Sequence, residues 1–231
     1  METKPHFNRK YSLNECYFEN IDSEDKAYFL GLLYADGSLN PNNSTIRIML
    51  QERDIDILKK FQSCINSNRP MRYIITPKSH QQNCYSVDTS SGKMMIDLQK
   101  QGCFINKTYI LKFPTEGQVP NNLIHHFIRG YFDGDGCINL HTKSSTFSII
   151  GTLDFLIELQ KIIIRECGLN FTKIPPKHKT NNIICYLRYS GNVSNFKIRE
   201  FLYKDATIYL QRKKDKFDKI VPKKKVRQSN C

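Results

Sequence analysis

Apolar residues recur along the chain at two different spacings. Residues 54–65 carry them three or four positions apart, which predicts a helix with one buried face, whereas residues 45–50 alternate apolar and polar side chains, which predicts a half-buried strand. Residues 40–44, Asn-Pro-Asn-Asn-Ser, predict the turn before this strand. By the same criteria we expect further helices at residues 24–36, 123–135, 153–167 and 206–219, helices that end at Gly102 and begin near residue 193, and strands near residues 71–76, 84–89, 137–141, 146–150, 171–175 and 183–189.

One nine-residue motif occurs twice. Residues 29–37 read Phe-Leu-Gly-Leu-Leu-Tyr-Ala-Asp-Gly and residues 128–136 read Ile-Arg-Gly-Tyr-Phe-Asp-Gly-Asp-Gly, so each position is displaced by the same 99 residues (128 minus 29). Each copy predicts an apolar helix with two small residues four positions apart, which form a flat stripe that lets two helix backbones approach closely. We therefore expect the two helices to pack against each other through Gly31, Ala35, Gly130 and Gly134.

The order of predicted elements is also duplicated. We predict an α+β fold: two pseudo-symmetric αββαββα units whose antiparallel four-stranded sheets lie side by side and form a saddle under a two-helix seam. The bridge at residues 103–122 contains two prolines, which suit an extended crossing between the halves. The expected divisions are residues 1–118 for the first half, 119–211 for the second half, and 212–231 for the end of the C-terminal helix and a basic tail.

The charge balance indicates a polyanionic partner. The 231 residues include 35 Lys and Arg against 22 Asp and Glu, a net charge of +13, and 39% of them are hydrophobic, enough for a packed core. Residues 212–231 carry nine positive and two negative charges, or +7 (9 minus 2). This tail suits a clamp on a DNA backbone, a nuclear import signal at residues 222–227, or a solvated end, and the sequence leaves these alternatives open.

The cysteines and the apolar runs bear on the environment of the protein. The eight cysteines include no Cys-x-x-Cys pair, which argues against a zinc site and favours reduced thiols. No apolar run approaches the roughly 20 residues of a membrane helix, and the N-terminus lacks a secretion signal. We expect an intracellular protein without membrane association, in the nucleus, an organelle, or a bacterial or phage cytoplasm.

Both motifs end in a carboxylate that could bind metal. Asp36 and Asp135 would meet at one end of the paired helices, where two carboxylates can share the divalent cations that promote phosphodiester hydrolysis. Because a helix C-terminus disfavours negative charge, a cation would relieve a local cost, and the backbone carbonyls of Ala35 and Gly134 are candidate additional ligands. Asp133 has Tyr34 at its equivalent position in the first half, so we expect it to be structural.

The repeated motif resembles that of the LAGLIDADG homing endonucleases, in particular their single-chain, two-motif members. The stretch from Gly102 through residues 106–108 and 113–114 also resembles the bridge between halves in that family, and the likeness covers roughly residues 22–217. It implies a monomeric meganuclease of a mobile intron or intein that hydrolyses both strands of a long, asymmetric double-stranded DNA site. Mg²⁺ is the implied cofactor; Mn²⁺ would replace it, and Ca²⁺ would support binding without cleavage.

An alternative function exists on the same fold, namely that of an intron RNA maturase or a DNA-binding protein that does not cleave. The presence of both Asp36 and Asp135 favours the nuclease, because relatives that only bind commonly lack one of the two acids.

The resemblance assigns roles to three further residues. Lys107 matches a basic residue that orders solvent around the nucleophile or offsets charge in the transition state. In the second half residues 212–214 offer three candidates for this role, and we choose Lys213 from its place in the Arg-Lys pair. Gln51 matches a polar residue that positions water. We take Gly151 as its counterpart, and this difference predicts unequal half-sites.

Side chains on the outward faces of the strands are expected to contact DNA, some at base edges and more at phosphates. These residues are Arg47, Arg72, Ser86, Asp88, Lys143, Lys173, Lys177 and Arg188.

Overall fold

The computed structural model describes residues 9–76, 82–105, 107–178 and 181–222, which form two halves with the same order of elements. The first half contains the helices α1 (Glu24–Asp36), α2 (Ile55–Cys64) and α3 (Gly92–Lys100) and the strands β1 (Gly37–Asn40), β2 (Thr45–Gln51), β3 (Arg72–Ile74) and β4 (Cys84–Ser90). The second half contains the helices α4 (Ile124–Asp135), α5 (Leu153–Cys167), α6 (Asn192–Leu202) and α7 (Gln211–Asp218) and the strands β5 (Gly136–Leu140), β6 (Ser145–Thr152), β7 (Pro176–His178) and β8 (Asn181–Ser190). In the described ranges, no helix combines the length and the apolar composition needed to cross a bilayer.

Each half forms one antiparallel four-stranded sheet, in the order β1-β2-β4-β3 and β5-β6-β8-β7. The predicted α+β saddle with a two-helix seam is confirmed. Helix α7 packs on β5 and α6, so the C-terminal range 212–231 includes part of a helix that belongs to the core of the second half. The basic residues beyond 222 lie outside the described residues.

The structure differs from the predicted elements at three places. Strand β1 was not predicted, because it has only four residues and two of them, Gly37 and Asn40, are poor strand formers. The strand expected at 171–175 is instead β7, since Pro175 and Pro176 lack the N–H groups that a regular ladder requires. The helix expected from residue 206 begins only at Gln211, because N–H groups within residues 207–210 donate to carboxylates of the seam helices.

The seam helices α1 and α4 touch through backbone atoms. A Cβ added at Gly31 would overlap the carbonyl oxygen of Phe127, and one added at Gly130 would overlap that of Tyr28. At the next turn, Gly134 lies against the Cβ of Ala35 in the same way. The small residues named from the motif therefore lie at the contact, and any larger side chain would push the two helices apart.

Each sheet buries one face under the helices and leaves the opposite, outer face polar. In β2, Ile46 and Ile48 are buried while Arg47 lies on the outer face, and β6 alternates in the same way. The buried faces join the seam in one hydrophobic core. The two outer faces are thus free to form a single polar surface on one side of the molecule.

The seam geometry predicts the effect of adding one methyl group. Gly31→Ala and Gly130→Ala should each lower the free energy of unfolding by at least about 1–3 kcal/mol, because rigid backbone cannot move out of the way. Gly92→Ala is the control, since its Cβ would meet only Ser44 Oγ at 3.8 Å, and it should stay within about 0.5 kcal/mol of the wild type. Urea unfolding measures all three; equal midpoints for Gly31→Ala and Gly92→Ala would contradict the close helix contact.

Candidate active site

The two motif aspartates lie at the adjoining C-terminal ends of the seam helices. Asp36 is the last residue of α1 and Asp135 the last of α4, and strands β1 and β5 begin at the next residues. Both side chains are exposed. A Cβ at Gly134 would lie 3.0 Å from the Asp36 carboxylate, so the missing side chain at this position leaves room for the acid. The structure therefore brings together the two carboxylates that motif spacing predicted to meet.

Both carboxylates resist ionisation, although their tips reach solvent. Partial loss of hydration at the adjoining helix ends, and then the charge of Asp135, raise the pKa of Asp36 to about 6. Loss of hydration also raises the pKa of Asp135, while Lys107 and Lys213 act in the opposite direction. Two carboxylates with raised pKa values at one point would each be stabilised in the ionised form by a shared cation.

The donor set at the helix ends fits a divalent metal ion with oxygen ligands. Within the described residues, no group of three or more His, Cys, Asp or Glu side chains converges on one point. Beyond Asp36 and Asp135, the ligands would have to be backbone carbonyls, water or oxygens of a substrate. Mg²⁺ is commonly held in this way, by one or two carboxylates together with substrate phosphates.

Two lysines contact the backbone at these helix ends in equivalent positions. Lys107 Nζ donates to the carbonyl oxygen of Gly37 and Lys213 Nζ to that of Gly136, each the residue that follows a motif aspartate. Lys213 is buried and makes two further hydrogen bonds, to the carbonyl oxygens of Phe132 (2.6 Å) and Asp133 (2.7 Å). Both lysines therefore lie at the predicted site. The three donors of Lys213 are all directed at the C-terminal end of α4, which a cation stabilises.

Burial changes the acid strength of Lys213. Loss of hydration lowers its pKa to about 8, against the opposing effect of Asp133 and Asp36, which favour the charged form. The end of α4 stabilises the ammonium group in this buried position, because it supplies three acceptors at hydrogen-bonding distance.

The segment that carries Lys213 is tied to the seam by a buried ionic network. Arg129, fully buried in α4, donates to the carbonyl oxygens of Leu202 and Ile208 and to the carboxylate of Glu24 at 2.6 Å. The Glu24 carboxylate in turn accepts the N–H groups of Thr207 and Ile208. Sequence reasoning missed this network; the available signal was Arg129 at the motif position that Leu30 occupies in the first copy.

Asp133 belongs to the same network and has the structural role expected from sequence. Its carboxylate is buried and accepts hydrogen bonds from Tyr28 Oη and from the Leu210 N–H, both at 2.8 Å. Burial raises the pKa of Asp133 to about 6. These contacts hold the start of α7 beside the end of α4, close to Lys213.

Two histidines at the start of α4 are buried beside Arg129. The rings of His125 and His126 are tilted by 38° relative to each other with centroids 3.9 Å apart, and His126 Nδ1 lies 3.8 Å from Glu24. Loss of hydration, then the positive charge of Arg129, lowers the pKa of His126 to about 4, although Glu24 acts in the opposite direction. Loss of hydration, then the charge of Arg129, also lowers the pKa of His125, so both histidines are neutral at neutral pH.

Gln51 is the last residue of β2. The prediction that Gly151 is its counterpart in the second half is wrong. Gly37 pairs with Ile48 and Gly136 pairs with Ile149, so the hairpin of the second half is two residues longer and Gln51 corresponds to Thr152 rather than Gly151. The Thr152 hydroxyl donates to the Leu111 carbonyl and caps α5, whereas Gln51 Oε1 has no hydrogen-bond partner among the described residues. The halves still differ at this position.

The predicted DNA contacts fall into three groups. Arg47 and Asp88 lie on the outer face, where they pair with each other through two hydrogen bonds of 2.7 and 2.8 Å. Ser86 is fully buried, so its prediction as a surface contact is wrong: it pairs across the sheet with Met49 and Arg72, whose longer side chains flank it. The remaining residues are exposed, and they are Arg72, Lys143, Lys173, Lys177 and Arg188.

Comparison with known proteins identifies the fold. Neither the family models nor the curated proteins compared with the sequence gave a match. Among solved structures, the chain is similar to the LAGLIDADG homing endonuclease I-LtrWI bound to its target DNA, with a TM-score of 0.53 and 11% identity over 87% of this chain and 88% of that one. It is also similar to I-SmaMI bound to an uncleaved DNA target with calcium ions (TM-score 0.53, 13% identity, 83% and 88% covered) and to I-GzeII in complex with its DNA target (0.52, 14%, 83% and 87%).

The chain therefore has the fold of the LAGLIDADG homing endonucleases, as the two motifs predicted. This class of fold is represented in the chain by three features: the two similar halves, the two-helix seam, and the paired acids at the end of the seam.

The depressed pKa of His126 predicts a loss of stability in acid. Between about pH 6.5 and pH 4 the unfolded chain binds a proton at His126 that the folded chain does not, so stability falls as the pH is lowered through this window. His126→Gln should reduce this fall by up to about 3 kcal/mol. Urea unfolding at pH 7 and pH 4.5 measures it; the exposed His141→Gln is the control, and the same pH dependence in both variants would refute the assignment.

The unequal burial of the two lysines predicts unequal effects of their removal. Lys213→Met should lower the free energy of unfolding by about 2–4 kcal/mol, because it leaves three carbonyl oxygens at a helix end without their donor. Lys107→Met removes one hydrogen bond from a half-buried side chain and should cost about 1 kcal/mol or less. Thermal and urea unfolding of both variants test the order; a larger loss for Lys107→Met would contradict it.

Proposed function

We propose that this protein is a site-specific DNA endonuclease that hydrolyses both strands of a long, asymmetric target with the help of a divalent metal ion. The observation that carries the proposal is the meeting of Asp36 and Asp135 at the end of the seam, midway between two sheets with polar outer faces. Proteins with this fold, I-LtrWI and I-GzeII among them, have been solved with DNA bound.

The charge of the molecule supports a duplex as the substrate. The chain carries a net charge of +13, and exposed cations occur on both sheets, at Arg72 in the first and at Lys177 and Arg188 in the second, and in the turn between β5 and β6 at Lys143. A two-stranded ribbon fits the major groove, and the pseudo-symmetric halves would read two unlike half-sites. Because both copies of the seam helix lie on one chain, we propose that the protein acts as a monomer.

The proposed chemistry follows from the acids and lysines at the ends of the seam helices. Asp36 and Asp135 would hold Mg²⁺, with Mn²⁺ as a substitute, and a bound cation supplies an acidified water and neutralises charge on the phosphate. The carbonyls of Ala35 and Gly134 are further candidate ligands, and the hydrogen bonds of Lys213 go to other carbonyls. Because Lys213 and Lys107 are fixed to the backbone beside each acid, they place positive charge where the transition state gains negative charge.

Gln51 provides the asymmetry between the two half-sites. Its Oε1 is a buried acceptor without a partner among the described residues, and a bound water molecule would satisfy it, whereas the Thr152 hydroxyl at the equivalent position already bonds to the backbone. We propose that the two strands are cut at different rates for this reason.

The two acids provide the decisive test. Asp36→Asn and Asp135→Asn should each abolish double-strand cleavage while binding the target as well as, or better than, the wild type, because each removes a metal-binding charge that faces a polyanion and keeps the side-chain volume. The target would first be found by cutting a randomised duplex library in Mg²⁺ and sequencing the ends. Cleavage is then measured on plasmids in Mg²⁺, and affinity by gel shift in Ca²⁺.

The exposed Asp154→Asn on α5 is the matched control and should cut normally. In a second readout, Mg²⁺ should raise the melting temperature of the wild type and of Asp154→Asn but not of the two active-site variants. Full linearisation of the plasmid by Asp36→Asn or Asp135→Asn would remove that residue from the active site and favour a protein that binds DNA without cutting it.

A further inference from the structure

A cationic pocket lies at the outer corner of the first sheet, away from the seam. The side chains of Lys10 and Arg69 both lie over the ring of Tyr11, with Lys10 Nζ 5.3 Å and Arg69 Cζ 6.0 Å from its centroid. Serine residues complete the lining, among them Ser90 at the end of β4. None of the three residues around the ring was identified from the sequence as a DNA contact.

The N-terminal segment, residues 9–12, is held in this position by the sheet and the loop before β3. Arg9 donates to the Ser90 carbonyl at 2.9 Å and pairs with Glu15 at 2.8 Å, and the Ser12 N–H donates to Asn68 Oδ1 at 2.8 Å. Arg9 therefore serves as an anchor, and its charge is already balanced. Lys10 and Tyr11 are fixed between these two attachments.

The two cations over Tyr11 have no counter-ion among the residues that the structure describes. Neither Lys10 nor Arg69 forms an ion pair with any residue in the described part of the chain. Loss of hydration acts to raise the pKa of Asp88, but the hydrogen bonds from Arg47 lower it overall, and the charge of Arg69 adds to that lowering. Both oxygens of Asp88 are nevertheless engaged by Arg47. Two like charges brought to one ring without compensation favour binding of an anion between them.

The second sheet has an equivalent pocket at its own outer corner. Ser90 pairs with Thr45 in the first sheet and Ser190 with Thr146 in the second, so the ends of β4 and β8 correspond. The second pocket contains Lys173 and Arg188 together with Phe171 and Tyr186, and Arg188 Cζ lies 5.6 Å from the Tyr186 ring centroid. Both corners thus combine two cations with aromatic rings, although the sequences that supply them differ.

We propose that the two corner pockets bind backbone phosphates at the two ends of the DNA duplex, and that residues 9–12 complete the first of them. The inference rests on the proposed DNA-binding function. It gives Lys173 and Arg188, already expected to contact DNA, a place in a defined pocket, and it adds Lys10 and Arg69 to the footprint. One extended polyanion that crosses both sheets would contact both corner pockets. It would explain why the pockets occupy equivalent positions, whereas binding of separate small anions would not. Since phosphates carry no sequence information, these contacts would add affinity and position the duplex.

The test compares three double variants of equal charge. Lys10→Gln/Arg69→Gln removes the first pocket, Lys173→Gln/Arg188→Gln removes the second, and Lys59→Gln/Lys161→Gln removes two exposed lysines from helices α2 and α5. Affinity for a 40-bp mixed-sequence duplex, a probe length of about four helical turns, is measured by fluorescence anisotropy in EDTA as a function of NaCl. Melting temperatures confirm that each variant is folded.

Each pocket variant should reduce the slope of log affinity against log salt by about 0.9 if both cations share one phosphate and by about 1.8 if each contacts its own, because about 0.9 is lost per phosphate contact. The control should change the slope by less than about 0.5, and Lys10→Arg/Arg69→Lys should restore it. On a duplex obtained by selection, hydroxyl-radical footprints should shorten at one end for the first variant and at the opposite end for the second.

Two outcomes would overturn the inference in distinguishable ways. If the wild type binds with a steep salt dependence and the pocket variants match the control, the corners do not contact DNA and the proposed function stands. If the wild type does not bind the duplex at any salt concentration, the proposed function fails together with this inference.

Discussion

The contact of backbone on backbone between α1 and α4 is the constraint on which the rest of the molecule depends. Because Gly31 and Gly130 each lie against a carbonyl of the opposite helix, the helices are fixed both in distance and in register. The chain passes directly from each helix into the first strand of its sheet. The same contact therefore sets the separation of Asp36 and Asp135 and the relation of the two sheets. A displacement at the seam would therefore move the two aspartates and the outer faces of the sheets together.

The second half adds a buried polar network that has a different physical basis. Arg129 is fully buried and uses its donors on Glu24 and on two carbonyls, so its charge is compensated by directed hydrogen bonds rather than by water. A network of this kind is sensitive to geometry, since a partly satisfied buried charge is costly. It fixes the segment that delivers Lys213, whereas Lys107 is attached by one hydrogen bond. The two lysines thus occupy equivalent positions in the two halves, but Lys213 is held by more contacts than Lys107.

Much of the fold and the centre of the site could be predicted because they depend on local features. Small residues four positions apart determine how closely helices approach, and the position of Asp36 and Asp135 follows from where those helices end. The missed features depend on distant contacts. Ser86 is covered from neighbouring strands, the counterpart of Gln51 was shifted by a hairpin two residues longer, and residues 207–210 leave the helix for carboxylates far away in sequence. No periodicity in the chain records these contacts.

In the absence of a ligand, the ends of the seam helices disfavour charge of either sign. Loss of hydration raises the pKa of Asp36 and Asp135 and lowers that of Lys213, so each group is shifted toward its neutral form. A divalent cation would reverse the shift for the acids, and the phosphate of a bound duplex would favour the charged lysine. The two ligands carry opposite charges and would therefore each make the site more receptive to the other. In an ordinary solvated surface the same groups would be screened by water, and this coupling would be weak.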